Sequence, residues 1–103
     1  MSLIDLLATS AELPDAWRSS VVGRFGGANL KLLRMDAGAY EEETHDFAEG
    51  LLVLDGTMRL SVGGEVVDVG AGQLYVVPAG VAHAVAPGSR GTLAILDVCA
   101  RSR

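Results

Sequence analysis

Residues 72–83 read GQLYVVPAGVAH, and this stretch decides the fold more than any other part of the chain. Its apolar run ends at Pro78, which can close a strand without the loss of a ladder hydrogen bond. Gly72 and Gly80 suit turns whose backbone angles favour glycine. His83 follows at once, inside a further apolar run. The stretch therefore predicts a strand, a tight loop and a second strand that carries a histidine.

A second pattern lies upstream, where residues 38–56 read GAYEEETHDFAEGLLVLDG. Glu43 and His45 are two residues apart, so on an extended strand their side chains leave the same face. Together with Glu49 and the distant His83, they supply two imidazoles and two carboxylates, which is enough for one metal site. Only a fold that returns the strand of His83 beside this pattern brings the four side chains together.

Short runs rich in Val and Leu, each closed by glycine, fill the chain from residue 18 onward and indicate an all-β domain. The pairs Gly26-Gly27 and Gly63-Gly64 are two-residue hairpin signals, because glycine takes the positive φ that tight turns between twisted strands require. The predicted strands are 18–25, 28–36, 50–55, 57–62, 65–69, 73–77, 82–86 and 91–98.

The N-terminal part of the chain has a different pattern. Residues 3–8 suit one or two turns of an amphipathic helix, and residues 10–14 break it. Because 103 residues supply a single core, we expect an N-terminal segment over residues 1–17 and one β domain over residues 18–103. Trp17, just before the first predicted strand, is interpreted as a lid or an interface plug.

Composition and charge narrow the classes of function. The formal net charge is −5, so the chain would repel a nucleic-acid backbone. The apolar runs are too short to span a bilayer, and residues 1–10 lack the basic start of a secretory signal, so we expect no membrane partner. The single cysteine, Cys99, cannot form an internal disulfide, and its apolar neighbours indicate a core or edge residue. These features predict a cytoplasmic protein.

Residues 51–54 read LLVL and are apolar on both faces of a strand. The outer face of a single-layered barrel wall then needs cover, and in so small a domain a second subunit is the simplest cover. We therefore expect a homodimer. Aromatic residues make up only 5% of the chain, and a barrel of aliphatic strands leaves room for an internal cavity.

The two patterns together resemble the two motifs of the cupin family, over roughly residues 28–98. The second cupin motif reads G, five residues, P-x-G, two residues, H, three residues, N. Residues 72–83 match it throughout, and Pro87 replaces the final asparagine. The first motif reads G, five residues, H-x-H, three or four residues, E, six residues, G. This chain has four residues after the first glycine and a glutamate at the first histidine position; the matching residues are Gly38, Glu43, His45, Glu49 and Gly56.

The resemblance implies a jelly-roll β-barrel, all-β and single-domain, with a metal site inside its mouth. Carried over position by position, His45, Glu49 and His83 are metal ligands, and Glu43 occupies the fourth ligand position with a changed donor. Two imidazoles and one acid leave open positions on Mn, Fe, Ni, Co or Zn, and a second glutamate makes the set harder, which favours Mn or Fe. The implied cofactor is a divalent transition metal.

Three functions stay open at this point. The first is a metal-dependent enzyme for a small molecule, whose reaction class (dioxygenase, isomerase or lyase) does not follow from a fold. The second is a non-catalytic barrel that binds or senses a small ligand. The third is a metal-free barrel in which histidines and carboxylates form ion pairs, and it draws on the run of three glutamates at residues 41–43, which is also typical of a solvated loop or strand edge.

Overall fold

The computed structural model describes residues 3–98, and most of them lie in one antiparallel sheet that curls into a jelly-roll half-barrel. The elements are α1 (Leu6–Ala11), β1 (Ser20–Phe25), β2 (Ala28–Asp36), β3 (Tyr40–Glu43), β4 (Glu49–Val62), β5 (Glu65–Gly70), β6 (Leu74–Val77), β7 (His83–Val85) and β8 (Arg90–Val98). The strands lie side by side in the order β1-β2-β8-β4-β7-β3, while β5 and β6 also pair with β4. The prediction of an all-β jelly roll after a short N-terminal helix is confirmed.

Both predicted glycine hairpins are present. Gly26 has a φ of 63°, and Gly63 and Gly64 have φ values of 59° and 83°. These turns join β1 to β2 and β4 to β5, and both pairs are antiparallel. The turn chemistry therefore fixes the register of two of the strand pairs that build the barrel.

Two strand predictions were wrong. The segments 50–55 and 57–62 form the single long strand β4, which continues through Gly56 instead of ending there. Residues 40–43 form a strand that the sequence did not predict, because successive glutamates have a low preference for strands. This strand, β3, lies at the end of the strand order, and its two central glutamates are exposed. An edge position tolerates such charges.

The N-terminal helix is displaced from its predicted place. Asp5 accepts a hydrogen bond from the backbone N–H of Ala8 at 3.0 Å, so the helix starts after Asp5 rather than at residue 3. It then continues through Ala11, past the start of the predicted break. Cys99, predicted to be a core or edge residue, lies outside the described residues.

Gly56 pairs with Gly91 where β4 and β8 lie side by side, and neither position has room for a side chain. A Cβ atom on Gly56 would overlap the carbonyl oxygen of Arg90, and one on Gly91 would overlap the carbonyl oxygen of Asp55. Both glycines have positive φ, at 81° and 112°. The pairing of β4 with β8 also shifts register between Val53 and Asp55. The glycine that ends the first motif therefore allows one strand to bend across the barrel.

The inner and outer faces of the sheet differ in how they are covered. The inner face holds the apolar core, formed by Leu33, Met35, Leu51, Val53, Met58, Leu60, Val62, Val69, Val77 and Leu93. On the outer face, α1 packs against β2, and Ser10 Oγ lies 3.1 Å from Thr92 Oγ1. Leu32 and Ala94 point to this side and are buried. The N-terminal segment thus covers part of the outer face.

A second part of the outer face is apolar and open. Leu74, Val76 and Leu96 are each 41–56% exposed, and Leu74 and Leu96 converge over Gly50. Half-buried Leu52 pairs with Leu74 in the sheet. We call the set Leu52, Leu74, Val76 and Leu96 the outer patch. The homodimer expected from residues 51–54 stays a prediction, and the outer patch is the surface that the second subunit would cover.

Within residues 3–98, no helix has the length and apolar character needed to cross a bilayer.

Candidate metal centre

The sheet brings all four predicted ligands to the wall of one cavity of about 240 Å³. Glu43 ends β3 and His83 begins β7, and the strand register pairs these two residues directly. Glu49 begins β4, and His45 lies in the connection from β3 to β4. The distant strand of His83 therefore returns beside the first motif, as the sequence required. His45 lies beyond the end of β3, so a loop rather than a continuous strand sets its position.

The donor atoms of this group lie close together. One ligand atom each from Glu43, His45 and His83 falls within 4.8 Å of the other two. Glu49 is outside that trio but contacts both rings, because its Oε1 lies 3.0 Å from His83 Nε2 and 3.8 Å from His45 Nε2. The side chains of His83 and Glu49 are 6% and 9% exposed, whereas those of His45 and Glu43 are 25% and 38% exposed. The site thus has a buried half and a half nearer to solvent.

The second ring nitrogen of His83 restricts its chemistry. Nδ1 lies 3.1 Å from the carbonyl oxygen of Val81, which can only accept a hydrogen bond, so Nδ1 carries a proton and donates it. A neutral ring then presents a lone pair at Nε2, 3.0 Å from the acceptor oxygen of Glu49. Two acceptors at that distance repel unless a proton or a cation lies between them. The arrangement therefore calls for either a proton or a bound metal between Nε2 and Glu49.

The ring nitrogen Nε2 of His45 has an unusual environment. It is buried and makes no hydrogen bond within residues 3–98, although it lies 3.3 Å from Glu43 Oε1. The ring is stacked on Phe47, with centroids 4.9 Å apart and planes 12° from parallel, which fixes its orientation. A buried polar atom without a partner costs free energy. A cation bound by this nitrogen would remove that cost.

Tyr40 and Trp17 form an aromatic pair beside Glu43. Burial, then the charge of Glu43 and a hydrogen bond to it, raise the pKa of Tyr40 above its ordinary value, so the phenol stays protonated and donates to Glu43. Trp17 stacks on Tyr40 with centroids 6.2 Å apart. A Cβ on Gly38 would lie 3.2 Å from Trp17 Nε1, so the first glycine of the motif makes room for the indole. The N-terminal segment therefore contributes directly to the cavity wall.

The sequence prediction missed two charged residues in the cavity. Lys31 on β2 and Asp97 on β8 both line it, with Lys31 Nζ 2.8 Å from Asp97 Oδ2. No motif contains them, and each has apolar residues on both sides in a predicted strand. The alternation of side chains along a strand could have predicted them. Lys31 lies on the same strand face as core residue Leu33, and Asp97 lies on the same face as core residue Leu93.

Comparison with known proteins agrees with this architecture. A family model described as Cupin domain matches residues 31–99, which is more than half of the chain. The chain belongs to the cupin family. No curated protein matches the sequence.

Solved structures with the same fold come from several bacteria. A cupin-2 domain containing protein from Shewanella frigidimarina superposes with a TM-score of 0.86 at 21% identity, over 94% of this chain and 95% of that one. A protein from Neisseria meningitidis gives 0.80 at 22% identity, over 95% and 100% of the two chains. KdgF from Halomonas gives 0.68 at 18% identity, over 82% and 79%. At these identities the likeness shows the fold alone.

Proposed function

We propose that the protein binds one divalent transition metal through His45, Glu49 and His83, with Glu43 as a fourth ligand, and that a small molecule occupies the rest of the cavity. The observation that carries this proposal is the buried Nε2 of His45, which makes no hydrogen bond within the described residues and faces the carboxylate oxygens of Glu43 and Glu49. Two imidazoles with carboxylates form a donor set that suits Mn, Fe, Ni or Zn.

The residues around the proposed metal have separate duties. Val81 fixes the tautomer of His83, and Phe47 fixes the ring plane of His45, as outer partners of metal ligands generally do. Tyr40 holds Glu43 through its hydroxyl group. When bound, a divalent metal supplies Lewis-acid polarisation of an oxygen on the small molecule. This chemistry fits an enzyme or a ligand-binding protein, and the reaction class follows from neither the fold nor the ligands.

One alternative draws on a specific contact. A doubly protonated His83 would form an ion pair with Glu49 at the observed 3.0 Å and would need no metal. A protonated His45 would likewise pair with Glu43, whose Oε1 lies 3.3 Å from its Nε2. The alternative therefore needs two imidazolium rings in one cavity, whereas a single metal accounts for both rings at once, and for this reason we favour the metal.

Metal uptake tests the proposal. Protein stripped with a chelator and dialysed against Mn²⁺, Fe²⁺, Ni²⁺ or Zn²⁺ should retain one equivalent of at least one of these metals, because the donors are already gathered in one cavity. Elemental analysis after removal of free metal measures the stoichiometry. Retention of none of the four metals would leave the metal-free ion-pair alternative in place.

We further propose that the outer patch is covered by a second copy of the chain. Its residues are apolar and lie on adjoining strands, and three of them are 41–56% exposed. An apolar surface of this kind on so small a domain is typical of an interaction site. The partner is proposed to be identical because closed dimers are the commonest assembly of soluble chains.

Leu96→Arg should convert this dimer to a monomer, because it places a charge at the centre of the outer patch. The molar mass measured by light scattering should fall by half. Val66→Arg is the matched control. Val66 is 51% exposed against 41% for Leu96, but it lies on β5, beside the opposite end of β4, so its substitution should leave the mass unchanged. A wild-type protein that is monomeric at tens of micromolar would contradict the proposal.

A further inference from the structure

The cavity contains a second polar cluster outside the proposed metal centre. Lys31 Nζ contacts Asp97 Oδ2 at 2.8 Å, and Asn29 Nδ2 donates to Asp97 Oδ1 at 3.1 Å. Asp97 is 7% exposed and Lys31 is 26% exposed. Among the described residues that line the cavity, Lys31 is the only lysine or arginine.

This cluster is adjacent to the metal centre. The register pairs Gly50 with Leu96, which places Glu49 opposite Asp97 at the next position on β4 and β8. Lys31 lies on β2, the following strand in the sheet. Since neighbouring strands are about 4.8 Å apart, the two polar groups are within reach of one small molecule.

Stability gives no reason for this ion pair. Desolvation of two charges offsets most of their attraction, and well-packed apolar residues in place of a buried pair are often neutral or stabilising. Their inward neighbours on the same two strands are apolar, including Leu33, Leu93 and Ile95. Asp97 orients the ammonium group of Lys31 within the cavity. An ammonium has three N–H donors, and the contact with Asp97 uses one of them.

The charges of the cavity also select a ligand. Glu43, Glu49 and Asp97 are its partly or fully buried carboxylates, and a divalent metal together with Lys31 would neutralise them. Without the metal, the same cavity carries excess negative charge and repels anions. With the metal, the charges of the buried and half-buried groups cancel, and an anion meets two positive centres side by side. The exposed Glu41 is the remaining carboxylate on the cavity wall.

We propose that Lys31 and Asp97 form the carboxylate-binding half of the site, and that the ligand is a small 2-oxo or 2-hydroxy carboxylic acid. This inference rests on the metal site proposed above. Its oxygens bind the metal, one carboxylate oxygen accepts a hydrogen bond from Lys31, and a short apolar tail contacts Leu51 and Leu93. The cavity of about 240 Å³ is smaller than the range of roughly 300–1,000 Å³ that holds drug-sized ligands, which limits the acid to a few carbons.

The test uses 2-oxobutyrate and its neutral analogue 1-hydroxybutan-2-one. Protein is loaded with one equivalent of whichever of Mn²⁺, Ni²⁺ or Zn²⁺ it retains, and the affinity for each compound is measured by calorimetry. The double variant Lys31→Met with Asp97→Asn removes the pair without a change in net charge. It should bind 2-oxobutyrate roughly 10- to 100-fold more weakly than wild type, as expected for loss of a charge-assisted hydrogen bond. Its affinity for 1-hydroxybutan-2-one should be unchanged.

Two controls separate this inference from the metal proposal. The affinity of the double variant for the metal itself should stay within about threefold of wild type, because the net charge is preserved. If the double variant fails to fold, Lys31→Gln, which keeps a donor to Asp97, should show the same selective loss. Retained metal with equal 2-oxobutyrate affinity in wild type and variant overturns this inference alone. Failure of wild type to retain any metal overturns the metal proposal as well.

Discussion

Gly56→Ala is expected to lower the free energy of unfolding by about 3 kcal/mol or more, which is a large share of the roughly 5–15 kcal/mol available to a domain of this size. Positive φ costs a non-glycine residue about 1–2 kcal/mol. The added Cβ would also overlap the carbonyl oxygen of Arg90, so the paired strands β4 and β8 must move apart at Gly56. Forced displacement of a packed backbone adds about 1–3 kcal/mol.

Gly72→Ala is the matched control for this prediction. Gly72 has almost the same φ, 83°, but a Cβ there meets nothing within 4 Å. Its substitution should therefore cost only the backbone part, about 1–2 kcal/mol. Urea denaturation of the three proteins gives both differences. Equal losses of unfolding free energy at the two positions would show that the close pairing of β4 with β8 imposes no steric demand on Gly56.

His83→Ala is expected to weaken metal binding by more than about 100-fold, a larger loss than the 10- to 100-fold typical of outer partners of metal ligands. His83 is the most buried of the four proposed ligands, so no solvent-exposed group can easily take its place. The metal-dependent gain in thermal stability should disappear with it. For wild type that gain is about 2.7 kcal/mol at a free metal concentration 100 times the Kd.

Glu43→Gln is the comparison for His83→Ala. The Glu43 side chain is the most exposed of the four, and glutamine keeps an oxygen donor at the same place, so metal binding should fall by less. The readout is the change in Tm on addition of metal, measured within each variant, because this separates lost metal from a general loss of stability. The same metal-induced shift in wild type and His83→Ala would contradict the proposed ligand set.

Much of the site was predictable because its residues belong to spaced motifs. Gly72, Pro78 and His83 are separated by fixed turns and a short strand, so local backbone rules place the histidine at the start of β7. The sequence also required the strand of His83 to return beside Glu43, and the register pairs these two residues. Local rules and one topological demand were sufficient for this part of the molecule.

Other features depend on tertiary contacts that no local pattern encodes. The strand at residues 40–43 forms despite its glutamates because it pairs with β7 at the sheet edge. The strand β4 continues through Gly56 because it stays paired with β8 there, whereas a glycine in isolation indicates a turn. Lys31 and Asp97 meet only after β2 and β8 pair, so neither charge signals the other along the chain.

The most direct test of the metal centre is anomalous diffraction from crystals of metal-loaded protein, with data collected at the absorption edge of the metal. A metal held by the proposed ligands should give one anomalous peak about 2.0–2.3 Å from His45 Nε2, His83 Nε2 and a carboxylate oxygen of Glu49. The gap of 3.0 Å between His83 and Glu49 should then be bridged by the metal. A peak elsewhere, or no peak with His83 still hydrogen-bonded to Glu49, would contradict it.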